Sequence, residues 1–207
     1  MPRIVDHAQR RREIVLALWA VIHERGIAGA SLRAVAEEAG ISIGRIQHYF
    51  SSKEELVREG CRAMISWAAE QAGPTRTSPE GLHNPVHVSP EGARRDLEAL
   101  LLHALPRTEG ARLGTSVWYA YLAQSAADPV IARIVSAAQR EALHAASSLL
   151  SATRGSRDPG NRDEDLATEL VSLADGLGQR VALGVVGVEA AESILRARLD
   201  AATRSAT

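Results

Sequence analysis

The segment from Leu32 to Tyr49 constrains the fold of this chain more than any other part of the sequence. It reads LRAVAEEAGISIGRIQHY and places small and apolar residues where two short helices would touch across a tight turn. Gly40 lies at the turn, where a positive φ is unpenalised in a residue without a Cβ. Ala36 is the small residue at the closest approach of the two helices. The apolar contact positions are Val35, Ala39, Ile41, Ile46 and Tyr49.

A plain helical hairpin inside a bundle is the alternative interpretation of this segment. Against it, Arg45, Gln47 and His48 crowd the predicted exposed side of the second short helix. Core burial does not explain three polar side chains there, whereas insertion into a DNA major groove does. The segment therefore predicts a helix-turn-helix.

The rest of the sequence favours an all-α fold. Hydrophobic residues make up 45% of the chain but aromatic residues only 3%, so the core must be mostly aliphatic and alanine, the strongest helix former. A helix is expected before the motif, ended by Gly26, and Ser31 and Ser42 can cap the two motif helices. The run SSKEEL offers a capping box for the next helix. The predicted longer helices span about 8–25, 53–71, 91–104, 107–127, 129–153, 163–186 and 189–203.

Residues 73–90 are predicted to form a loop or a partly disordered linker. This stretch holds four prolines and two glycines and continues no helical pattern. His83 and His87 lie in it without partners at metal-ligand spacing, so ordinary loop histidines are favoured over a metal site. We expect a helix-turn-helix DNA-binding domain over 1–56 and a helical-bundle domain for ligand sensing and dimerisation over 57–207.

The predicted helix near 163–186 has two apolar stripes and therefore needs partners on two sides. A second subunit is the natural partner for one of them, which predicts a homodimer. The larger stripe consists of Leu166, Leu170, Leu173, Leu177 and Val181. The stripe of small residues consists of Ala167, Ala174, Gly178 and Ala182.

Several classes of protein are disfavoured by the composition. The charge is nearly balanced, with 24 basic and 25 acidic residues, so only a local basic face is expected to bind nucleic acid. Cys61 is the single cysteine, which excludes an internal disulfide and favours a small buried hydrophobe, with redox sensing as the alternative. With no secretory leader pattern and no apolar run of roughly 18 residues, we expect a cytoplasmic protein without membrane contact. No metal or cofactor is predicted.

The run SLRAVAEEAGISIGRIQHYFSSKEEL (31–56) resembles the signature of the TetR family of transcriptional repressors. Two further runs, SVWYAYLAQSAADPVIARI (116–134) and LVSLADGLGQRVALG (170–184), resemble the subgroup named for the choline-responsive regulator of betaine synthesis. The positions that match the family signature are Ser31, Val35, Ala36, Ala39, Gly40, Ile41, Ser42, Gly44, Phe50, Lys53 and Leu56.

The resemblance, taken with side-chain chemistry, implies roles in DNA binding. Lys53 is expected to contact phosphate at a helix N-terminus, where free N–H groups favour an anion. Tyr49 and His48 are expected to contact phosphate or sugar, with core packing of Tyr49 and simple solvent exposure of His48 as alternatives. The other candidates are Arg33, Arg45 and Gln47, which can read base edges, Ile43, which can meet a thymine methyl, and Ser42 and Gly44.

Two features depart from the family pattern. Gln47 stands where many relatives carry a tyrosine, and a glutamine can make a bidentate contact to adenine. The long proline-rich segment 73–90 is the second departure.

Near the N-terminus, Arg10, Arg11 and Arg12 either add phosphate contacts or are merely solvated.

The candidate ligand-binding residues are Trp67, Trp118, Tyr121, Leu122, Asp175 and Gln179. Trp118, Tyr121 and Leu122 can line a mostly apolar pocket or can be ordinary core residues. Trp67 lies near the end of the fourth helix, which links the DNA-binding unit to the rest of the chain and can act as a lever. Asp175 and Gln179 lie one helical turn apart and are either polar pocket contacts or hydrogen-bonding groups at a dimer interface.

These features together predict a DNA-binding transcriptional regulator. The expected form is a homodimeric repressor that binds a palindromic double-stranded operator and is released by an unknown small-molecule effector. An activator or an architectural DNA-binding protein without a ligand is the alternative. A small helical enzyme is a further alternative, but the sequence contains no phosphate-binding glycine loop, nucleophile elbow or paired carboxylates to support it.

Overall fold

The computed structural model describes residues 4–71, 89–156 and 158–204, and within these ranges the chain is all-α without strands. The predicted fold class is confirmed. The predicted loop at 73–90, with His83 and His87, lies almost wholly outside the described residues. In chain order, the helices are α1 Ile4–Gly29, α2 Leu32–Glu38, α3 Ile43–Tyr49, α4 Lys53–Gln71, α5 Pro90–His103, α6 Glu109–Gln124, α7 Pro129–Thr153, α8 Asn161–Ala182 and α9 Val188–Arg204.

The helices begin largely where side-chain caps were predicted. Ser31 Oγ accepts a hydrogen bond from Ala34 N at 3.1 Å, and Ser42 Oγ accepts one from Arg45 N at 3.3 Å. The capping pair at the start of α4 is shared by two serines. Ser52 Oγ accepts from the backbone N of Glu55 at 3.1 Å, while the Glu55 carboxylate accepts from the backbone N of Ser51 at 2.7 Å.

Some predicted helix ends were wrong by a few residues. Helix α1 starts at Ile4 and runs to Gly29, although Gly26 interrupts it with φ 67° at the place where its end was predicted. Helix α6 ends at Gln124 rather than near 127, because the turn that follows leads directly into the cap of α7. Helix α8 ends at Ala182 rather than near 186, since Gly184 takes a left-handed φ of 70°.

The first compact unit comprises residues up to Trp67 together with Leu113–Ser136. It combines α1, α2, α3 and most of α4 with most of α6 and the start of α7. All of these helices contribute fully buried side chains to one core. These side chains include Ile14, Leu18, Val35, Ile46, Phe50, Leu56, Tyr121 and Ile131. The helix-turn-helix thus shares one core with helices from the middle of the chain.

Cys61 lies in that core with no exposed surface. Burial raises the pKa of its thiol to about 11, so the group is protonated at neutral pH. A thiolate, not a thiol, reacts with oxidants. The structure therefore favours the buried-hydrophobe interpretation of this residue over redox sensing.

The second compact unit comprises Ala68–Arg112 and the chain from Ala137 onward. Its core is aliphatic, with Leu97, Leu150, Leu170 and Leu195 all at most 2% exposed. Charged pairs join its helices at the surface. Arg198 on α9 makes a bidentate contact with Glu169 on α8, at 2.6 and 2.7 Å.

The small-residue stripe of α8 packs within its own chain at Gly178. A Cβ added there would lie 2.4 Å from the carbonyl oxygen of Ala104, which follows α5. One stripe thus has a partner within the chain at Gly178, and a second subunit against the other stripe stays a prediction. Glycine at position 178 lets the backbone of α8 approach the backbone at Ala104 more closely than any residue with a side chain would permit.

The predicted functional boundary between residues 56 and 57 stays a prediction. The compact units describe packing, and they do not show which residues bind DNA or a ligand. Within the described part of the chain, no helix is both long enough and apolar enough to span a bilayer.

We predict that Gly178→Ala lowers the free energy of unfolding by about 1–3 kcal/mol, because the new methyl collides with the backbone at Ala104. Gly176→Ala, two residues earlier, is the matched control. Its Cβ would meet only the end of the flexible Arg180 side chain, at 3.3 Å, so the better helix propensity of alanine should stabilise the protein by up to about 1 kcal/mol. Urea unfolding followed by circular dichroism measures both, and equal effects would contradict the close contact.

Candidate nucleic-acid interface and sensor residues

Helix α3 has one buried side and one exposed side. Ile46 is 0% exposed and belongs to the core of the first unit, as does Phe50 just beyond the helix. Because Ile46 is held inward, the neighbouring positions must face solvent. The predicted DNA-site residues that lie exposed on or beside this helix are Ser42, Ile43, Gly44, Arg45, Gln47 and His48.

The remaining predicted DNA-site residues flank that surface. Arg33 is exposed on α2, and Tyr49 is half-buried at the end of α3. Gly40 has φ 63°, so the turn between the two helices takes the conformation for which glycine was predicted. The helix-turn-helix is therefore present, with its polar candidates outside and its apolar contact residues inside.

Arg11 fastens the end of α3 to α1. Its Nη1 donates to the carbonyl oxygen of Tyr49 at 3.1 Å, and its guanidinium lies 4.5 Å from the centre of the Phe50 ring. It also approaches the Glu59 carboxylate on α4 at 3.4 Å. The sequence suggested a phosphate contact or a solvated side chain for Arg11, whereas the structure gives it an internal role. Arg10 pairs with Glu13 at 2.5 Å.

Lys53 is half-buried at the first turn of α4, and its ammonium donates to the carbonyl oxygen of Ala28 at 2.9 Å. An ammonium has three N–H donors, so this bond orients the group and leaves others for an anion. The backbone N–H groups of the α4 N-terminus lie on the same stretch of chain. The position is compatible with a phosphate contact, which stays a prediction.

His7 is a residue of this region that the sequence analysis missed. The centre of its ring lies 4.6 Å from that of Tyr49 and 6.2 Å from that of His48. These three rings border the exposed side of α3. No periodicity links His7 to residues some forty positions later, so only tertiary structure brings them together.

Four of the predicted ligand-binding residues belong to the first unit. Tyr121 is fully buried, Trp118 and Leu122 are half-buried against the same core, and Trp67 is 44% exposed. Trp67 stacks on Trp19 of α1, with ring centres 5.3 Å apart and planes 9° apart. As far as the described residues show, these side chains pack on protein atoms and line no ligand-sized cavity.

Among the described residues, a shallow surface hollow lies in the second unit. Its empty space of about 140 Å³ includes open solvent, so it encloses no volume of the size that ligand pockets have. Its lining includes Leu102 and Leu199 but none of the predicted ligand-binding residues.

Asp175 and Gln179 are exposed on α8 in the second unit. Nearby protein removes water from the Asp175 carboxyl and raises its pKa. Because both side chains are exposed, they could be polar contacts of a pocket or hydrogen-bonding groups at a dimer interface, as the sequence analysis proposed. Within the described residues, no three histidine, cysteine or acidic side chains form a group that could hold a metal ion.

Helices α1 and α4 are tied to the middle of the chain by polar contacts. Arg58 Nε of α4 lies 2.9 Å from Asp128 Oδ2, and Asp128 Oδ1 also caps α7 through the backbone N of Val130 at 2.8 Å. The Arg58 hydrogen bond holds the pKa of Asp128 below its ordinary value. On α1, His23 Nδ1 lies 3.0 Å from Ser116 Oγ of α6.

Comparison with known families settles which class of protein has this arrangement. Residues 14–59 match the family model described as bacterial regulatory proteins, tetR family. Residues 93–204 match the model of the BetI-type transcriptional repressor C-terminal domain, and this second match alone spans more than half of the chain. The chain belongs to the tetR family. It is a helix-turn-helix transcriptional regulator with a BetI-type C-terminal domain, as the sequence resemblance predicted.

Individual relatives agree with this assignment. The HTH-type transcriptional regulator BetI of Escherichia coli O127:H6 is 29% identical over 184 residues, 88% of this chain and 87% of that relative. The HTH-type transcriptional regulator PksA of Bacillus subtilis is 32% identical over 123 residues, 59% of this chain, and the match spans 55% of that relative.

A solved structure shares the fold over nearly the whole chain. It is a putative transcriptional regulator from Saccharomonospora viridis in complex with choline, with a TM-score of 0.76 and 24% identity. The alignment covers 93% of this chain and 96% of the other. Likeness at this level of identity establishes the fold alone.

We predict that Asp128→Asn lowers the free energy of unfolding by about 1 kcal/mol at neutral pH, because asparagine keeps the α7 cap but loses the charge that pairs with Arg58. The pKa of Asp128 is depressed in the folded state, so its contribution is present above about pH 4 and is lost as the pH falls further. Urea unfolding at neutral and acid pH should show wild type and variant converging in acid. A constant difference would contradict the ion pair.

Proposed function

We propose that this regulator is a homodimeric repressor that holds a palindromic operator with two copies of α3 and releases it when a small molecule binds. The observation that carries the proposal is the arrangement of α3, where the buried Ile46 turns Arg45, Gln47 and His48 to the surface. Arginine and glutamine are the side chains that read guanine and adenine edges in the major groove. The sites on DNA are then expected to recur at one helical turn or a multiple of it.

Exposed apolar surface in the second unit supports the homodimer. Leu183 and Val185 are each 70% exposed, and Ile194 on α9 is 45% exposed. Large apolar side chains in such positions are typical of surfaces that a second protein covers. A second copy of the chain is the partner that a palindromic operator requires, because each half-site is bound by one helix-turn-helix.

The effector is proposed to act through the BetI-type C-terminal domain. Choline is the first compound to test, because it is bound in the Saccharomonospora viridis regulator that shares this fold. Tryptophan faces attract quaternary ammonium groups, and Trp118 and Trp67 carry such faces. The proposal gives the chain no enzymatic role, and it places the protein in the cytoplasm, where its operator is.

An activator or architectural DNA-binding protein without a ligand is the second candidate function. The absence of a ligand-sized cavity around Tyr121 in the described structure is the observation that favours it. The two functions differ in a direct experiment. A DNA fragment is selected with the protein from a random pool, and choline chloride and a compound library are then tested for release. Release supports the proposal, whereas no release together with activation of a reporter supports the second candidate.

We predict that Arg45→Ala and Gln47→Ala each weaken binding to the selected fragment by about 1–3 kcal/mol, with much smaller losses on random DNA. Lys53→Ala should weaken binding to the selected fragment and to random DNA alike, because a phosphate contact carries no sequence information. It should also lower the salt dependence of binding by about one ion, because one fewer phosphate is neutralised. Fluorescence anisotropy at several salt concentrations measures these effects. Arg95→Ala, at an exposed arginine of α5, is the control and should change neither the affinity for the selected fragment nor the affinity for random DNA.

Lys53 offers an independent check because it is the only lysine in the sequence. An amine-reactive reagent followed by mass spectrometry should label it less when the selected DNA is bound. Equal labelling with and without DNA, or equal losses of all three variants on random DNA, would refute the assigned roles.

A further inference from the structure

Tyr49 ends α3 at a place where the helix cannot fix its own geometry. Helix α3 has seven residues, and the carbonyl groups of its last turn have no partner within an α-helix. A helix this short is not stable alone, so contacts from elsewhere must order its last side chains. Tyr49 itself is half-buried, and His48 beside it is exposed.

Helix α1 contacts Tyr49 with two side chains that lie one turn apart. Arg11 donates a hydrogen bond to the backbone carbonyl oxygen of Tyr49 at 3.1 Å. His7 is four residues earlier and therefore on the same face of α1. Its ring lies against the Tyr49 ring, with 4.6 Å between the ring centres and 52° between the ring planes. Helix α1 thus holds both the backbone and the ring of Tyr49.

His7, Tyr49 and His48 form a cluster of three rings. The His48 ring meets the Tyr49 ring edge to face at 5.2 Å, and the centres of the two histidine rings are 6.2 Å apart. These distances fall within the range of about 4.5–7 Å in which aromatic rings attract one another. His7 is exposed, so it adds little to the buried core. The consequence of its contact is the orientation of the neighbouring rings, and Tyr49 is the nearer of the two.

We propose that His7 is a positioning residue for DNA binding, which holds the rings of Tyr49 and His48 in the orientation that meets the DNA backbone. The inference rests on the proposed function, in which Tyr49 and His48 contact phosphate or sugar, and it adds a residue of α1 to that surface. Side chains that are ordered in the free protein lose less conformational entropy when DNA binds. Removal of the His7 ring therefore weakens DNA binding while α1, α3 and the core stay intact.

His7→Ala should weaken binding to the selected fragment by about two- to tenfold, the range that one aromatic contact supports. Alanine is a better helix former than histidine, so a loss of this size cannot come from a weakened α1. His7→Phe keeps a ring at this position and should bind within about twofold of wild type. The matched control is Gln9→Ala on the same turn, where the lost side chain donates to Glu13 at 3.4 Å, and its affinity should stay unchanged. Fluorescence anisotropy measures all of these affinities.

Two further measurements separate positioning from a direct contact of His7 with DNA. In a protein that already carries Tyr49→Ala, the further change His7→Ala should cost less than about twofold, because the ring on which His7 acts is gone. The salt dependence of binding should be the same for His7→Ala as for wild type. This salt series is run at pH 6, where a histidine in contact with phosphate carries charge.

A direct phosphate contact would give the opposite results. The losses from His7→Ala and Tyr49→Ala would be additive, His7→Phe would bind as weakly as His7→Ala, and the salt dependence of His7→Ala would fall by about one ion. Any of these results, or wild-type affinity of His7→Ala, overturns the inference. Failure of the wild-type protein to bind any selected fragment refutes the proposed function itself, so the two failures are distinguishable.

Discussion

The burial of Ile46 and Phe50 in the core around α1 is the contact on which the rest of the structure depends. Helix α3 has only seven residues, too few to be stable alone. Its direction is therefore set by the side chains that it buries and by Arg11, which holds the last carbonyl group of the helix. Because Ile46 is inside, Arg45 and Gln47 lie outside, and the polar surface that we propose for DNA contact follows from a packing requirement.

That core does not end with the helix-turn-helix. Tyr121 and Ile131 belong to it, so helices from the middle of the chain share one core with the helix-turn-helix. Three contacts mark the junction: Arg58 with Asp128, His23 with Ser116, and Gly60 with Tyr121. Two are polar and form hydrogen bonds, while the third is a close approach of the Tyr121 hydroxyl to a glycine of α4.

Much of the fold follows from local rules, and the errors of the sequence analysis have local causes as well. Helix periodicity and the serine caps predicted the helices, but turns that lead directly into the next cap shortened α6, and Gly184 ended α8 early. The candidate DNA site was predictable because its residues lie within about twenty positions of one another. His7 and the inward role of Arg11 were not, since each depends on a neighbour about forty residues away.

The sequence by itself determined the all-α class, the helix-turn-helix and the membership in the tetR family, because spacing and residue type within one short segment encode them. Tertiary structure alone decided that Gly178 accommodates the chain's own backbone at Ala104, and that Tyr121 lies buried against Gly60. Both outcomes depend on distances between helices that are far apart in the sequence. Such distances are set by the packing of the whole core, and no single segment of the sequence encodes that packing.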